Sequence, residues 1–385
     1  MKKIRIFLII MLAMTISVLL TSCWNYREID KLAIVTGVAV DKDTNGQYIL
    51  TAEIAKVSGG RETKTISEVV TMKGRTMFDA VRNGISITGK RLYWSHSKAL
   101  ILSKEVASEG MIKVIDWYIR DAEPREDVNV LISEGASAKE IFEGQGTTED
   151  IRSFTLNEVE KNQEKLSNAP TTDILKYGIE SQTKGISTLI PTIVLKKTDN
   201  KLAPQVIGTA IIKNDKLAGF LNGEETKDLL FIRNEVKGGV LVGGTQENAA
   251  ATYISLEILK NETKVTPIID GINIKINLDI DTTVAINEID SRENVIDEDG
   301  RTKLEQSIER KLKEQVESLI KKIQSEYDAD IFKFGTKMRE DKSKIWDRVK
   351  NNWEEIFKDL PVNVKTKVHI KNSAVLSKPV EEGEY

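Results

Sequence analysis

A chain of 385 residues with 40% hydrophobic and 30% charged side chains has enough apolar content for ordinary cores and enough charge for a soluble exterior. Its formal charge is −3, with 56 Lys and Arg against 59 Asp and Glu, which excludes the basic face of a nucleic-acid binder and gives no polybasic attraction to anionic lipid. Two histidines and one cysteine exclude a clustered His or Cys metal set and any internal disulfide.

The chain opens MKKIRIFLIIMLAMTISVLLTSC, in which Lys2, Lys3 and Arg5 precede an apolar run at 6–20. This is the pattern of a secretory signal peptide, and the run is short for a membrane span, which needs about 20 residues. Leu20-Thr21-Ser22-Cys23 then matches the bacterial lipobox. Its small residues let the chain enter a peptidase groove, and the thiol takes diacylglycerol before cleavage makes Cys23 the first mature residue. An ordinary signal-peptidase site and an uncleaved N-terminal span are the rival readings. Each buried methylene is worth about 0.8 kcal/mol, so one acyl chain holds marginally while two or three hold stably. Removing Lys2, Lys3 and Arg5 makes the mature chain three charges more negative. Its lipid, not its charge, would then hold it at a bilayer.

Beyond the anchor, LAIVTGVAVD and QYILTAEIAK flank the turn residues Asp43-Thr44-Asn45-Gly46 and predict a hairpin or meander. Thr76 caps a predicted helix with Phe78, Val81 and Ile85 on its inner face. LYWSHSKALILS reads as one strand, and 106–120 as one helix buried through Ile112, Ile115 and Ile119. VNVLIS at 128–133 is a buried strand, and a short helix through Ile141 and Phe142 follows it. The polar stretch 143–170 either wraps the surface or forms an exposed helix. TTDILKYGIES is a helix capped by Asp173, and KTDNKLAPQ at 197–205 is the best domain boundary.

The second half begins with strands in QVIGTAIIKNDKLAGFL, turning at Asn214-Asp215, and then GGVLVGG. In INIKINLDI, Ile272, Ile274, Ile276, Leu278 and Ile280 alternate with polar residues, the pattern of an antiparallel sheet wet on one side. A long helix at 301–327 carries a stripe of Leu304, Ile308, Leu312, Val316, Leu319, Ile323 and Tyr327. A second helix at 343–358 buries Trp346 and Trp353, and VNVKTKVHI closes the fold as a strand facing inward through Val362, Val364, Val368 and Ile370. Strands, then helices, then a returning strand predict a multi-domain α+β fold of mostly antiparallel sheets with helices on one face. The expected divisions are a signal peptide at 1–22, an N-terminal domain at 23–197 with room for two lobes, a C-terminal domain at 205–373 and a flexible tail at 374–385.

Motifs that carry chemistry are scarce. With only His96 and His369, no HExxH set can form, and neither a GxSxG elbow nor a GxxxxGK[ST] loop occurs. DEDG at 297–300 suggests a calcium loop, but alignment on Gly300 puts Val295 at the first ligand position and Gln306 at the twelfth, so it reads as a turn before the long helix. Asp279 and Asp281 share a strand face with Asn273, Lys275 and Asn277, an ordinary polar surface and not a catalytic pair. His369 falls in the outward set with Asn363, Lys365 and Lys367. His96, beside Tyr93 and Trp94 in a strand, is either a structural imidazole or a contact and pH-sensitive residue.

Several stretches resemble one family. CWNYREIDKLAIVTGVAVDK, RLYWSHSKALILSKEVASEG, DWYIRDAEPR, GTAIIKNDKLAGFL and DADIFKFG, in that order and followed by the Trp346 and Trp353 helix, resemble the Ger(x)C lipoproteins, the C subunits of spore nutrient germinant receptors. Asn25 stands where Asp is usual, and NSAVLS lacks a late Gly. The resemblance covers essentially the whole mature chain. It implies a lipid-anchored, non-enzymatic subunit on the extracytoplasmic face of the spore inner membrane, assembled with integral-membrane A and B subunits and needing no cofactor or metal. Only Cys23 carries a defined role over, as the lipid-attachment residue, while His96 and Arg120 are candidate contact residues. The alternatives are a solute-binding lipoprotein with a cleft between lobes and a tethered wall hydrolase, for which the sequence nominates no carboxylate pair.

Overall fold

The computed structural model describes residues 2–20, 28–58, 64–144, 151–183, 185–198, 201–243, 253–271, 273–290 and 297–371. Helix α1 (Lys2–Leu20) is apolar after its basic first turn of Lys2, Lys3 and Arg5, and its side chains from Ile4 to Ile16 are exposed. Among the described residues no helix is long and apolar enough to cross a membrane.

Strands β1 (Leu32–Lys42) and β2 (Tyr48–Ser58) form the expected hairpin, and β3 (Lys64–Gly74) adds an antiparallel strand that the sequence reading omitted. At the turn, Asp43 accepts from the backbone N–H groups of Asn45 and Gln47, both at 3.0 Å. Helix α2 (Met77–Thr88) leads into β4 (Arg91–Tyr93) and β5 (Ala99–Ser103), both parallel to β1. Helices α3 (Lys104–Glu109) and α4 (Ile112–Arg120) precede β6 (Asn129–Ser133), and α5 (Ala138–Glu143), α6 (Arg152–Lys161) and α7 (Ile174–Ser181) precede β7 (Thr188–Thr198). Strands β8 (Lys201–Lys213) and β9 (Lys216–Leu221) then complete a nine-stranded sheet ordered β3-β2-β1-β5-β6-β7-β8-β9, with β4 also on β1.

The centre of this sheet is parallel, and its strands β5 and β6 are short and mainly apolar, with Leu100–Leu102 and Val130–Ile132 buried on both sides. Leu100, Leu102, Val130 and Ile132 face one core with α2, α3, α4 and α7, while Ala99, Ile101 and Leu131 face another with α5 and α6. Helices therefore cover both faces here, where the sequence reading expects one. The single sheet also replaces the room left for two lobes.

Residues 197–205, expected as a boundary, flank the β7–β8 connection, with Thr198 paired to Lys201. Pro204 is accommodated opposite Leu195. Strands β8 and β9, read as the opening of the C-terminal domain, hydrogen-bond into the N-terminal sheet instead.

Helix α8 (Gly223–Ile232) starts the second body with a capping box, in which Asn222 receives the N–H of Glu225 and Glu225 receives that of Asn222. Strands β10 (Val240–Gly243), β11 (Tyr253–Asp270), β12 (Asn273–Asp290) and β13 (Val362–Ile370) form a four-stranded sheet, antiparallel except for the β12–β13 pair. Its inner face of Ile276, Leu278, Ile280, Val364 and Val368 packs on α9 (Glu298–Glu326), whose predicted stripe from Leu304 to Ile323 is buried. This sheet keeps its helices on one face, as expected. The edge of β13 is closed by α9, with Val368 and Ile370 donating backbone N–H groups to Glu309 and Glu305 at 3.0 and 2.7 Å. Helices α10 (Phe334–Asp341), α11 (Ser343–Val349) and α12 (Trp353–Lys358) fill the crossover. One core runs from this body into the first through Leu189, Ile211 and Leu221.

Candidate functional site

Cys23, the lipid-attachment candidate, lies outside the described residues, as does most of its lipobox. The other candidates can be placed. His96 sits on a turn between β4 and β5, not in a strand, because the chain folds back where Ser97 donates to the Trp94 carbonyl. It is exposed, with its ring against Tyr93 at 5.9 Å. Arg120 is exposed in the last turn of α4 and pairs with Asp116 at 2.6 Å. It borders a shallow groove of about 370 Å³ with Phe78, Lys113 and Trp117, and His96 is not among the groove's lining residues.

The two helices beside that groove present faces other than those predicted. Ile112 and Ile119 of α4 are exposed, and the buried side is Val114, Ile115, Trp117 and Tyr118. The two aromatic rings carry more apolar surface than two isoleucines, and they stack edge-on at 4.9 Å beside Trp94. In α2, Met77, Ala80, Val81 and Gly84 face inward, leaving Phe78 and Ile85 exposed.

The predicted 106–120 helix breaks at Gly110 because the β8–β9 turn docks there. Asp215 accepts the N–H groups of Met111 and Ile112 at 3.0 and 2.6 Å and the Tyr177 hydroxyl at 2.9 Å. A Cβ on Gly110 would lie 2.7 Å from that carboxylate. Buried carboxylates cap other helices from a distance in the same way. Asp41 receives Ala138 and Lys139 at the start of α5, and Glu53 receives Arg152 and Ser153 at the start of α6.

A further such carboxylate, Asp330, holds the joint between the two bodies. It accepts the N–H groups of Phe332, Phe334 and Gly335 at 3.2, 3.1 and 2.6 Å and the Trp353 indole N–H at 2.9 Å. Its backbone carbonyl receives the N–H of Ser187 from the first body at 3.2 Å. Burial pushes the Asp330 carboxyl up, and these donors pull against it. Beside the joint, Arg233 is 1% exposed and bonds to Glu235 at 2.9 Å and Glu180 at 3.5 Å, while Lys333 reaches both carboxylates at 3.3 Å. Burial pulls the Glu235 carboxyl upward, but Arg233, Lys333 and Lys176 outweigh it and hold the group below its ordinary value. Sequence reasoning missed this cluster, whose members lie in three separate segments. The one signal for Asp330 was an acid inside the apolar stretch ADIFKF.

Between the bodies lies a cleft of about 550 Å³ bordered by Tyr177, Lys213, Asp215, Asp330 and Trp353. Asp215 and Asp330 are already engaged as described, and Lys213 is held by the Asp328 carbonyl at 2.8 Å and Glu354 at 3.3 Å. The cleft is a polar seam in which these three charged groups are already engaged. Elsewhere, Asp279 and Asp281 lie on the wet face of β12, where Asp281 is 3.5 Å from His369 on β13. Asp297 of DEDG caps α9 by accepting the Gly300 N–H at 2.7 Å. Among the described residues no three His, Cys, Asp or Glu side chains group as a metal site.

A family model described as "Spore germination protein N-terminal domain" matches residues 25–195, and one described as "Spore germination B3/ GerAC like, C-terminal" matches 207–374. Similar curated proteins of Bacillus subtilis (strain 168) include Spore germination protein B3, 26% identical over 372 residues, covering 93% of this chain and 96% of the relative. Spore germination protein YndF is 27% identical, covering 91% and 92%, and Spore germination protein KC is 21% identical, covering 98% of each. Among solved structures, the GerBC protein aligns at a TM-score of 0.57 and 23% identity, over 87% of this chain and 97% of that one, a likeness of fold. Fold and matches together define the class, an α+β spore germination protein. The chain belongs to the B3/GerAC-like family, the C subunits of germinant receptors. The gap between the two family regions falls on the β7–β8 hairpin, so the division along the chain does not divide the sheet.

Proposed function

We propose that this chain is a lipid-anchored, non-enzymatic subunit, held through acylated Cys23 at the extracytoplasmic face of the spore inner membrane. There it assembles with integral-membrane A and B subunits of a nutrient germinant receptor and helps to trigger germination. The observation that supports this reading most directly is the position of the chain's single thiol, at a lipobox directly ahead of a body that belongs to the germinant-receptor C-subunit family. The mechanism is local concentration. A body tied to the bilayer meets its partners in what is effectively an intramolecular step, which raises avidity by roughly 10² to 10⁴ without a new contact.

Cys23→Ala tests this reading. The variant should fold normally, leave the membrane fraction and respond weakly to nutrients. A Cys23→Ala protein that stays membrane-bound in spores germinating at the normal rate would contradict the reading.

A further inference from the structure

Lipid anchorage at Cys23, on which this inference rests, also restricts which end of the body meets lipid. Cys23 stands nine residues before Leu32, where β1 begins. Even fully extended, that tether spans about 30 Å. A compact chain of this size is roughly 50 Å across. The bilayer is therefore confined to the neighbourhood of the start of β1.

Exposed apolar side chains collect there from several segments. Ile29 precedes the strand and is 76% exposed. Leu32 pairs with Arg91, which brings alongside the end of α2 and the turn after it, where Ile85 and Ile87 are 37% and 58% exposed. Ile34 pairs with Ala55, so Val57, two residues further along β2 and 66% exposed, lies at the same end. Its neighbour Lys56 pairs with Ile66, which is 39% exposed. Single exposed apolar residues are ordinary on a protein surface, but a group of them around one point marks an interaction site. Much of the local charge is already neutralised. Lys31 pairs with Glu28, Lys56 with Glu68 at 3.0 Å and Arg91 with Glu123 at 3.2 Å.

We infer that this end of the N-terminal sheet is a membrane-contact surface, with Ile29, Val57, Ile66, Ile85 and Ile87 seated at the headgroup boundary and β1 standing away from the bilayer. Three of the nearby cations are thus paired, and the contact rests on these apolar side chains. The opposite end of β1 supplies an internal reference. Asn45, exposed in the β1–β2 turn, lies beyond Lys42, about 33 Å along the strand from Leu32.

The test uses the acylated protein on phosphatidylcholine vesicles, with Ile87→Cys or Asn45→Cys carrying an environment-sensitive fluorophore. Acylation occupies the sulfur of Cys23, so each new thiol is labelled uniquely. Spin-labelled lipid should quench the probe at 87 at least threefold more strongly than the probe at 45, already on phosphatidylcholine alone. Ile29→Ser together with Ile85→Ser should lower quenching at 87 while flotation with the vesicles persists. Equal quenching at both positions on protein that floats would overturn the contact surface and leave anchorage standing. Quenching that appears only with phosphatidylglycerol would assign the contact to charge and overturn the apolar account. Protein that does not float with the vesicles would overturn anchorage, and this inference with it.

Discussion

Trp353 donates its indole N–H to Asp330 across 2.9 Å, joining α12 to the turn before α10. Around that bond, Gly335 approaches so closely that a Cβ would lie 2.8 Å from the Trp353 nitrogen and 3.0 Å from the Gly185 carbonyl of the first body. The two bodies thus meet at a satisfied polar turn wrapped in aromatic rings.

Asp330→Ala should strand four buried donors. At about 1–3 kcal/mol for a single buried unsatisfied group, with partial rescue by water, the loss is about 3–5 kcal/mol. Trp353→Phe removes one donor and keeps most of the ring, and should cost about 1–2 kcal/mol beyond the change in packing. Urea titration followed by tryptophan fluorescence checks both values. Equal stability of Asp330→Ala and the parent would remove Asp330 from its structural role.

Gly185 has φ +79°, and a Cβ there would sit 2.7 Å from the Trp346 ring. Gly185→Ala adds left-handed strain to a steric clash, and it should cost about 1–3 kcal/mol. Gly46, also at positive φ but with nothing near its Cβ position, should lose less than 185 on the same substitution. Thermal melts of the two alanine variants decide between steric and purely conformational cost.

Arg233→Met should destabilise the chain by about 2–4 kcal/mol, because it leaves the buried Glu180 and the half-buried Glu235 carboxylates with one fewer cation. Adding Glu180→Gln and Glu235→Gln to that variant should recover much of the loss, since the penalty lies in the orphaned charge. Chemical denaturation of the single and triple variants tests this, and failure of the triple variant to recover would show that packing, not charge, is what Arg233 supplies.

Glu160 is buried with neither carboxylate oxygen bonded, and desolvation, opposed by Lys176, pushes its pKa up to about 8 from 4.5. Between those values the native chain keeps a proton that the unfolded chain has released, so this group's contribution to stability falls as pH rises from 4.5 to 8. Burial moves Asp228 in the same direction, to about 7, so the informative quantity is the difference between variant and parent. Glu160→Gln should match the parent near pH 4 and exceed its stability by about 2–4 kcal/mol near pH 8. A constant difference across that range would remove the titration account.

How much of this was legible in the sequence follows from the range of the interactions. The α9 stripe and the alternation along β12 were readable because local periodicity meets one broad opposing surface. Helix α7 was readable because Asp173 caps it from the adjacent position. By contrast, α3 ends on Gly110, but the start of α4 depends on Asp215, which arrives from another hairpin and accepts the N–H groups of Met111 and Ile112. Likewise, α6 starts where Glu53 of the first hairpin places its carboxylate, with no side-chain cap from its own N-cap Ile151, whereas α5 carries a local capping box of Ser137 and Glu140 beside the distant Asp41. The buried side of α4 was misread because isoleucine spacing favoured one face while Trp117 and Tyr118 favoured another. The parallel order of β1, β5 and β6 leaves no mark beyond their mainly apolar composition.

Mass spectrometry of the mature N-terminal peptide, taken from native spore membranes, tests the central claim most directly. The expected species begins at Cys23 and carries diacylglycerol on its sulfur. A peptide that begins elsewhere, or that carries an unmodified Cys23 thiol, would contradict the lipid anchor.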